Sequence, residues 1–107
     1  MKADIRNWLV GQFGDDEAII NEIYAEYVQA SRAKVVEMRQ AIDAGDTALL
    51  DRIAHAMKGT ALMTGDKEAA EAAIALRKAA LEGSIGACRT HARELDMIVG
   101  NLEEPVA

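Results

Sequence analysis

The chain has 107 residues, half of them hydrophobic, with one cysteine, one proline and a formal net charge of −6 from 12 Lys+Arg against 18 Asp+Glu. That length is one domain whose core needs no staple, and a lone cysteine excludes an internal disulfide. The acidic balance, with no basic stripe of interleaved aromatics, speaks against nucleic-acid binding.

The opening Met1-Lys2-Ala3-Asp4 meets an acid and then Arg6 before any apolar run, so it does not read as a signal peptide. Asp4 to about Gln12 predicts a short first helix carrying Trp8 and Leu9, ended by Gly11 to Gly14. Asp15 is the expected N-cap of a second helix through Ile19, Ile20, Ile23, Tyr24 and Tyr27. The apolar phase changes near Ser31. A third segment carries Val35, Met38 and Ile42 to Gly45, and the second and third segments can be read as one bent helix. Asp46 caps a helix through Leu49, Ile53 and Met57 to Gly65. Asp66 caps the next, with Ala69, Ala73, Leu76 and Ala80 inward, to Gly83. Ser84 caps the last, with Cys88, Ala92, Leu95, Val99 and Leu102 inward, and 103–107 reads as a frayed tail.

No segment alternates with a strand's period, and no run reaches the roughly 18 charge-free apolar residues of a membrane helix. Turns of two or three residues favour antiparallel neighbours. The expectation is an all-α fold: an antiparallel up-down four-helix bundle with an additional N-terminal helical segment. It is a single domain over 1–107, with a core bundle of about 28–102 and N-terminal helices of about 4–27. Trp8 and Phe13 are expected to cover one end of the core. A cytoplasmic location and a buried, unreactive Cys88 are the natural readings.

Advancing about 100° per residue along the helix from Asp46 puts Leu49, Leu50, Ile53, Met57, Thr60, Ala61 and Thr64 on one side. His55 lies opposite that stripe. Its surface neighbours are Asp51, Arg52, Lys58, Gly59 and Leu62. Most exposed histidines are only solvated surface residues, but two neighbours argue for more here. Gly59, one turn on, costs a helix about 1 kcal/mol relative to alanine and clears space beside the ring. Lys58 can swing its ammonium toward a group bonded to the imidazole. Leu62 is apolar where a charge would be ordinary, so Leu62 and Arg52 are candidate partner-docking residues. His91, beside Cys88, Ala92 and Leu95, reads instead as a partly buried, hydrogen-bonded histidine. Two histidines and one cysteine have no ligand spacing, so no metal site is expected. Gly59 to Lys67 superficially resembles a phosphate loop, but its spacing is one too long and it straddles a helix.

Ala54-His55-Ala56-Met57-Lys58-Gly59-Thr60, with Gly65 ten positions after the histidine, resembles the histidine phosphotransfer (HPt) domain. Met57 stands where leucine is usual. Leu81-Glu82 resembles the close of the following helix, and Ala44-Gly45-Asp46 the turn before the histidine helix. The likeness covers roughly residues 15 to 102. It implies a relay of phosphoryl groups between receiver-domain aspartates, in a multistep two-component phosphorelay, with His55 as phospho-acceptor, Lys58 stabilising phosphoryl charge and Gly59 relieving crowding. It implies no cofactor, with Mg²⁺ held only by the partner receiver. Partners would be response-regulator receiver domains and a hybrid sensor kinase, met by a monomer that is an intermediate without nucleotide-dependent catalysis of its own. An imidazole in water is largely neutral at pH 7, and the neutral ring is the nucleophile. Family members place a polar or cationic residue of the following helix near the phosphoryl group. Helix height brings residues 75–78 level with His55, which leaves Arg77 and Lys78 as candidates. The competing readings are a non-catalytic helical adaptor and the excised phospho-accepting domain of a chemotaxis-type histidine kinase.

Overall fold

Five helices account for most of residues 1–106, the residues that the computed structural model describes. They are α1 (Ala3–Phe13), α2 (Glu17–Ala44), α3 (Thr47–Thr64), α4 (Lys67–Leu81) and α5 (Ile85–Gly100), with no strand among the described residues. Each of the last four starts at a residue whose side-chain oxygen accepts the amide N–H three positions on: Asp16 from Ile19, Asp46 from Leu49, Asp66 from Ala69 and Ser84 from Ala87. These bonds satisfy donors that a helix start leaves open. The cap of α2 is thus Asp16, one residue beyond the expected Asp15.

The helices α2 to α5 run antiparallel in chain order, and α5 closes the ring against α2. At 1.5 Å per residue the 28-residue α2 is about 42 Å long. That matches the 44 Å long axis of the molecule. The second and third expected segments are one continuous helix, Glu17–Ala44, which runs through the expected boundary at about residue 28. The apparent break is Ser31. Ile20, Tyr24, Tyr27, Ser31, Val35, Met38 and Ala41 are all buried, at spacings of three and four that run unbroken through the serine. A polar residue inside the stripe reads as a change of phase although the geometry has none. Alanines 69, 70, 72, 73, 79 and 80 are also buried, and their small size lets α3 and α5 approach α4 closely.

The end of the bundle is covered differently from expectation. Ile5 and Leu9 of α1 are fully buried, whereas Trp8 and Phe13 are nearly half exposed. Trp8 lies across the α3–α4 turn, its indole Nε1 donating to the carbonyl of Met63 at 2.9 Å. Beneath this turn sits Asp66, which is 1 % exposed. Besides capping α4, its carboxylate accepts from Lys2 Nζ and from the Tyr27 hydroxyl, each at 2.6 Å. Burial, and then the bond to Asp66, push the Tyr27 hydroxyl far above its usual range, so it stays a donor. The segment after α5 meets the start of the chain and α2. Leu102 is buried, Glu103 takes the Met1 ammonium on its carboxylate and the Tyr24 hydroxyl on its carbonyl, and Glu104 pairs with Arg32. The last residue of that expected tail, Ala107, lies outside the described residues.

Gly65 has a left-handed φ of 77°, and a Cβ there would stand 2.2 Å from Trp8 Cβ and 3.1 Å from the Asp4 carbonyl oxygen. Gly65→Ala is expected to cost roughly 2–4 kcal/mol, from the left-handed conformation and the displacement of Trp8. In a thermal melt that is a drop of roughly 10 °C or more. An unchanged midpoint would show that α1 does not pack on this turn as described.

Candidate functional site

The buried side of α3 is Leu50, Ile53, Ala54, Met57, Ala61 and Thr64. Leu49 is half-buried at the edge of this stripe, and Thr60, expected inside, is exposed. Its hydroxyl finds local partners, donating to the carbonyls of Ala56 and Met57, each at 3.2 Å. His55 is exposed on the opposite face near mid-helix. The backbone under it is ordinary helix, since the neighbouring core residues hold α3 in place and the ring itself is not needed for packing.

Around His55 the helix presents a mixed surface. Arg52 and Leu62 are exposed, and Lys58 and Gly59 are partly so. A Cβ added at Gly59 would meet nothing within 4 Å, and the residue has no left-handed φ. The fold therefore does not require glycine at this position. Among the described residues Arg52 and Lys58 make no ion pair, which leaves both cations available to an incoming anion.

The two cations considered on α4 part company. Arg77 turns toward α3, its Nε donating to Asp51 Oδ1 at 2.9 Å, and Asp51 is one turn before His55 on the same face. Lys78 is exposed and lines two grooves, one with Ala87 and His91 and one with Arg77, Ile74 and Leu81, but makes no bond to α3 among the described residues. Only Arg77 is thereby drawn to the histidine helix. Height along the helices admits both, and the ion pair separates them.

Two features here went unread in the sequence. One is Asp51 as a partner for Arg77; a carboxylate four residues before the histidine was the available signal. The other is an apolar groove of about 420 Å³ on the α2 side of α3, lined by Phe13, Ile23, Tyr27, Ala30, Thr60 and Met63 among others. Met63 is 77 % exposed, and its position beside Leu62 was the signal.

The remaining candidates are quiet. His91 is partly buried, but the expected hydrogen bond is not made: Nδ1 has no partner, with Glu94 Oε2 at 3.8 Å. Cys88 is fully buried, and burial pushes its thiol pKa up, away from the reactive thiolate. Among the described residues no three His, Cys, Asp or Glu side chains are grouped to hold a metal ion, and no helix is long and apolar enough to cross a membrane.

No curated protein and no solved structure matches the chain. A family model does: the Hpt domain, over residues 22–105. The match takes in the whole of α3, with His55 and its flanking residues, and leaves out α1. Hpt domains are histidine phosphotransfer modules of two-component signalling that interact with the receiver domains of response regulators. An all-helical bundle presenting one exposed histidine at mid-helix agrees with that match over most of its length, and the chain belongs to the Hpt domain family.

Proposed function

We propose that this chain relays phosphoryl groups between the aspartates of receiver domains in a multistep phosphorelay, with His55 as the group that carries them. The observation that supports this most is the pairing of an exposed His55 with open space at Gly59 one turn away. A ring nitrogen of His55 attacks the phosphorus of a receiver's aspartyl phosphate. The P–N bond forms as the P–O bond breaks, and the electron pair leaves on the aspartate carboxylate. The phosphorylated ring sheds its proton to water. Running the same step backward onto a second aspartate completes the relay.

Little in this needs an enzyme-like cavity. Phosphoryl transfer depends on in-line positioning and on charge stabilisation, and the partner must bring its aspartate to the ring. Lys58, three residues from His55 and without an ion pair among the described residues, is the residue we assign to the phosphoryl charge. Leu62 and Arg52 are assigned to docking. Mg²⁺ belongs to the receiver, and no nucleotide or resident cofactor takes part. We place the protein in the cytoplasm, as a monomer, receiving phosphoryl groups from receiver domains that include that of a hybrid sensor kinase.

Incubation with a receiver domain carrying labelled aspartyl phosphate tests this reading. Label that appears on this chain as acid-labile phosphohistidine supports the relay; a helical adaptor that merely binds would take up none. In the same assay Lys58→Ala is expected to slow transfer by about tenfold to a hundredfold through lost charge stabilisation, with the melting temperature nearly unchanged because Lys58 has no partner to lose. Transfer at the parental rate would remove Lys58 from the mechanism.

A further inference from the structure

Asp51 is oddly placed for a site that is to carry phosphate. Its carboxylate lies one helical turn from His55, on the same face, where it would repel a phosphoryl group. It also holds a cation there, and it holds it loosely. Arg39 grips Asp96 with two bonds, from Nε and Nη2, each at 2.7 Å. Arg77 makes a single bond to Asp51, from Nε at 2.9 Å, and no other hydrogen bond to the described residues. The two Nη groups of Arg77 are spare donors. Both side chains of the pair are about one-third exposed, so water and an incoming anion can reach them.

We infer that Asp51 is a positioning residue, which parks the Arg77 guanidinium beside His55 and surrenders it when His55 is phosphorylated. The inference rests on the proposed role of His55 and names a residue that this role alone does not supply. A phosphoryl group brings close to two negative charges and three acceptor oxygens, against one charge on the carboxylate. Guanidinium binds phosphate through paired N–H donors, and Arg77 has such donors unused. Exchange takes the cation from a weaker acceptor to a stronger one, one helical turn along the same face. Before phosphorylation the pair cancels the Asp51 charge and keeps Arg77 from wandering. Afterwards Arg77, with Lys58, faces the phosphoryl oxygens. No bond other than hydrogen bonds changes in this step.

The probe is phosphoramidate, which transfers its phosphoryl group to histidine and releases ammonia. The readout is the Arg77 Nε–H resonance in a proton–nitrogen correlation spectrum, with Arg39 Nε–H as the internal reference. On phosphorylation of the parent protein the Arg77 signal is expected to move while that of Arg39 stays. In His55→Gln neither signal should move, which separates His55 from any labelling of His91. In Asp51→Asn the Arg77 signal should already be displaced before phosphorylation. At limiting phosphoramidate the labelled fraction of Asp51→Asn should rise by about threefold to tenfold, because a competing and repelling charge is gone. Arg77→Gln should lower it by a similar factor, since Asp51 is then uncompensated. An Arg77 signal that stays put while label is present on His55 would overturn the exchange and leave the relay standing. Parental labelled fractions in both Asp51→Asn and Arg77→Gln would do the same. If the parent acquires no label on His55 from phosphoramidate or from a phosphorylated receiver, the relay itself is refuted and the exchange with it.

Discussion

Replacing His55 with glutamine is expected to abolish phosphoryl uptake from a phosphorylated receiver and to leave the fold as it is. The two halves of this expectation come from the same geometry. His55 is the exposed histidine of the described residues, opposite the buried stripe of α3, and its side chain makes no ion pair among them. Glutamine has similar reach and good helix propensity, so far-ultraviolet circular dichroism and the melting temperature should change little. It has no nucleophilic ring nitrogen, so transfer should fall to the background level. The comparison variant is His91→Gln. His91 has an unpartnered Nδ1 and only a distant Glu94, so its loss breaks no hydrogen bond. It should transfer at the parental rate with a stability change within about 0.5 kcal/mol. Histidine-linked label in the His55 variant would refute the assignment.

The second large effect concerns Gly59, where stability and function should move in opposite directions. Nothing lies within 4 Å of a Cβ at this position, and its backbone is regular helix. An added side chain therefore meets no clash, and it gains up to about 1 kcal/mol of helix propensity. Gly59→Gln should melt at or above the parental temperature, with Gly59→Ala the higher of the two. Transfer should respond in the other sense. A glutamine one turn from His55 stands where the partner's aspartate must approach in line, and a misplacement of about 1 Å can cost a factor of about 100 in rate. We expect Gly59→Gln to transfer at least about a hundredfold more slowly, and Gly59→Ala to be affected less. Measuring transfer rate beside melting temperature decides the matter. A Gly59→Gln protein that is more stable and equally fast would mean that the glycine has nothing to do with access.

Which face of α3 is wet follows from local pattern. Residues three and four apart share a helix face whatever surrounds the helix, so Leu50, Ile53, Met57 and Ala61 placed His55 in solvent before any neighbour was known. Helix starts follow in the same way, because a cap bonds amides only two or three residues on. Asp46, Asp66 and Ser84 were therefore readable, and Asp16 was missed by a single position. The match of residues 22–105 to the Hpt domain agrees with the resemblance carried by the segment from Ala54 to Thr60.

Contacts between distant segments obey no such short-range rule. Trp8 looked like the lid and Ile5 was passed over, because one residue of rotation in α1 decides which of them faces the core, and that rotation is set by the turn of Gly65 and by the Met63 carbonyl. Asp66 was legible as a cap. Its burial with Lys2 and Tyr27 was not, since those residues meet only when α1, α2 and the α3–α4 turn converge. Ser31 broke the pattern on paper and sits in the core in space, where the neighbouring helices bury it whatever its polarity. The choice between Arg77 and Lys78 had the same origin. They are adjacent in sequence, about 100° apart around α4, and both within the height of His55. The rotation of α4 as packed between α3 and α5 sends one toward Asp51 and the other toward the groove of His91. The sequence alone determined the starts of α3, α4 and α5, the buried stripe of α3 and the exposed histidine, because these depend on neighbours a turn away. Only the tertiary structure decided what stands beside that histidine, because this depends on how two helices lie against each other.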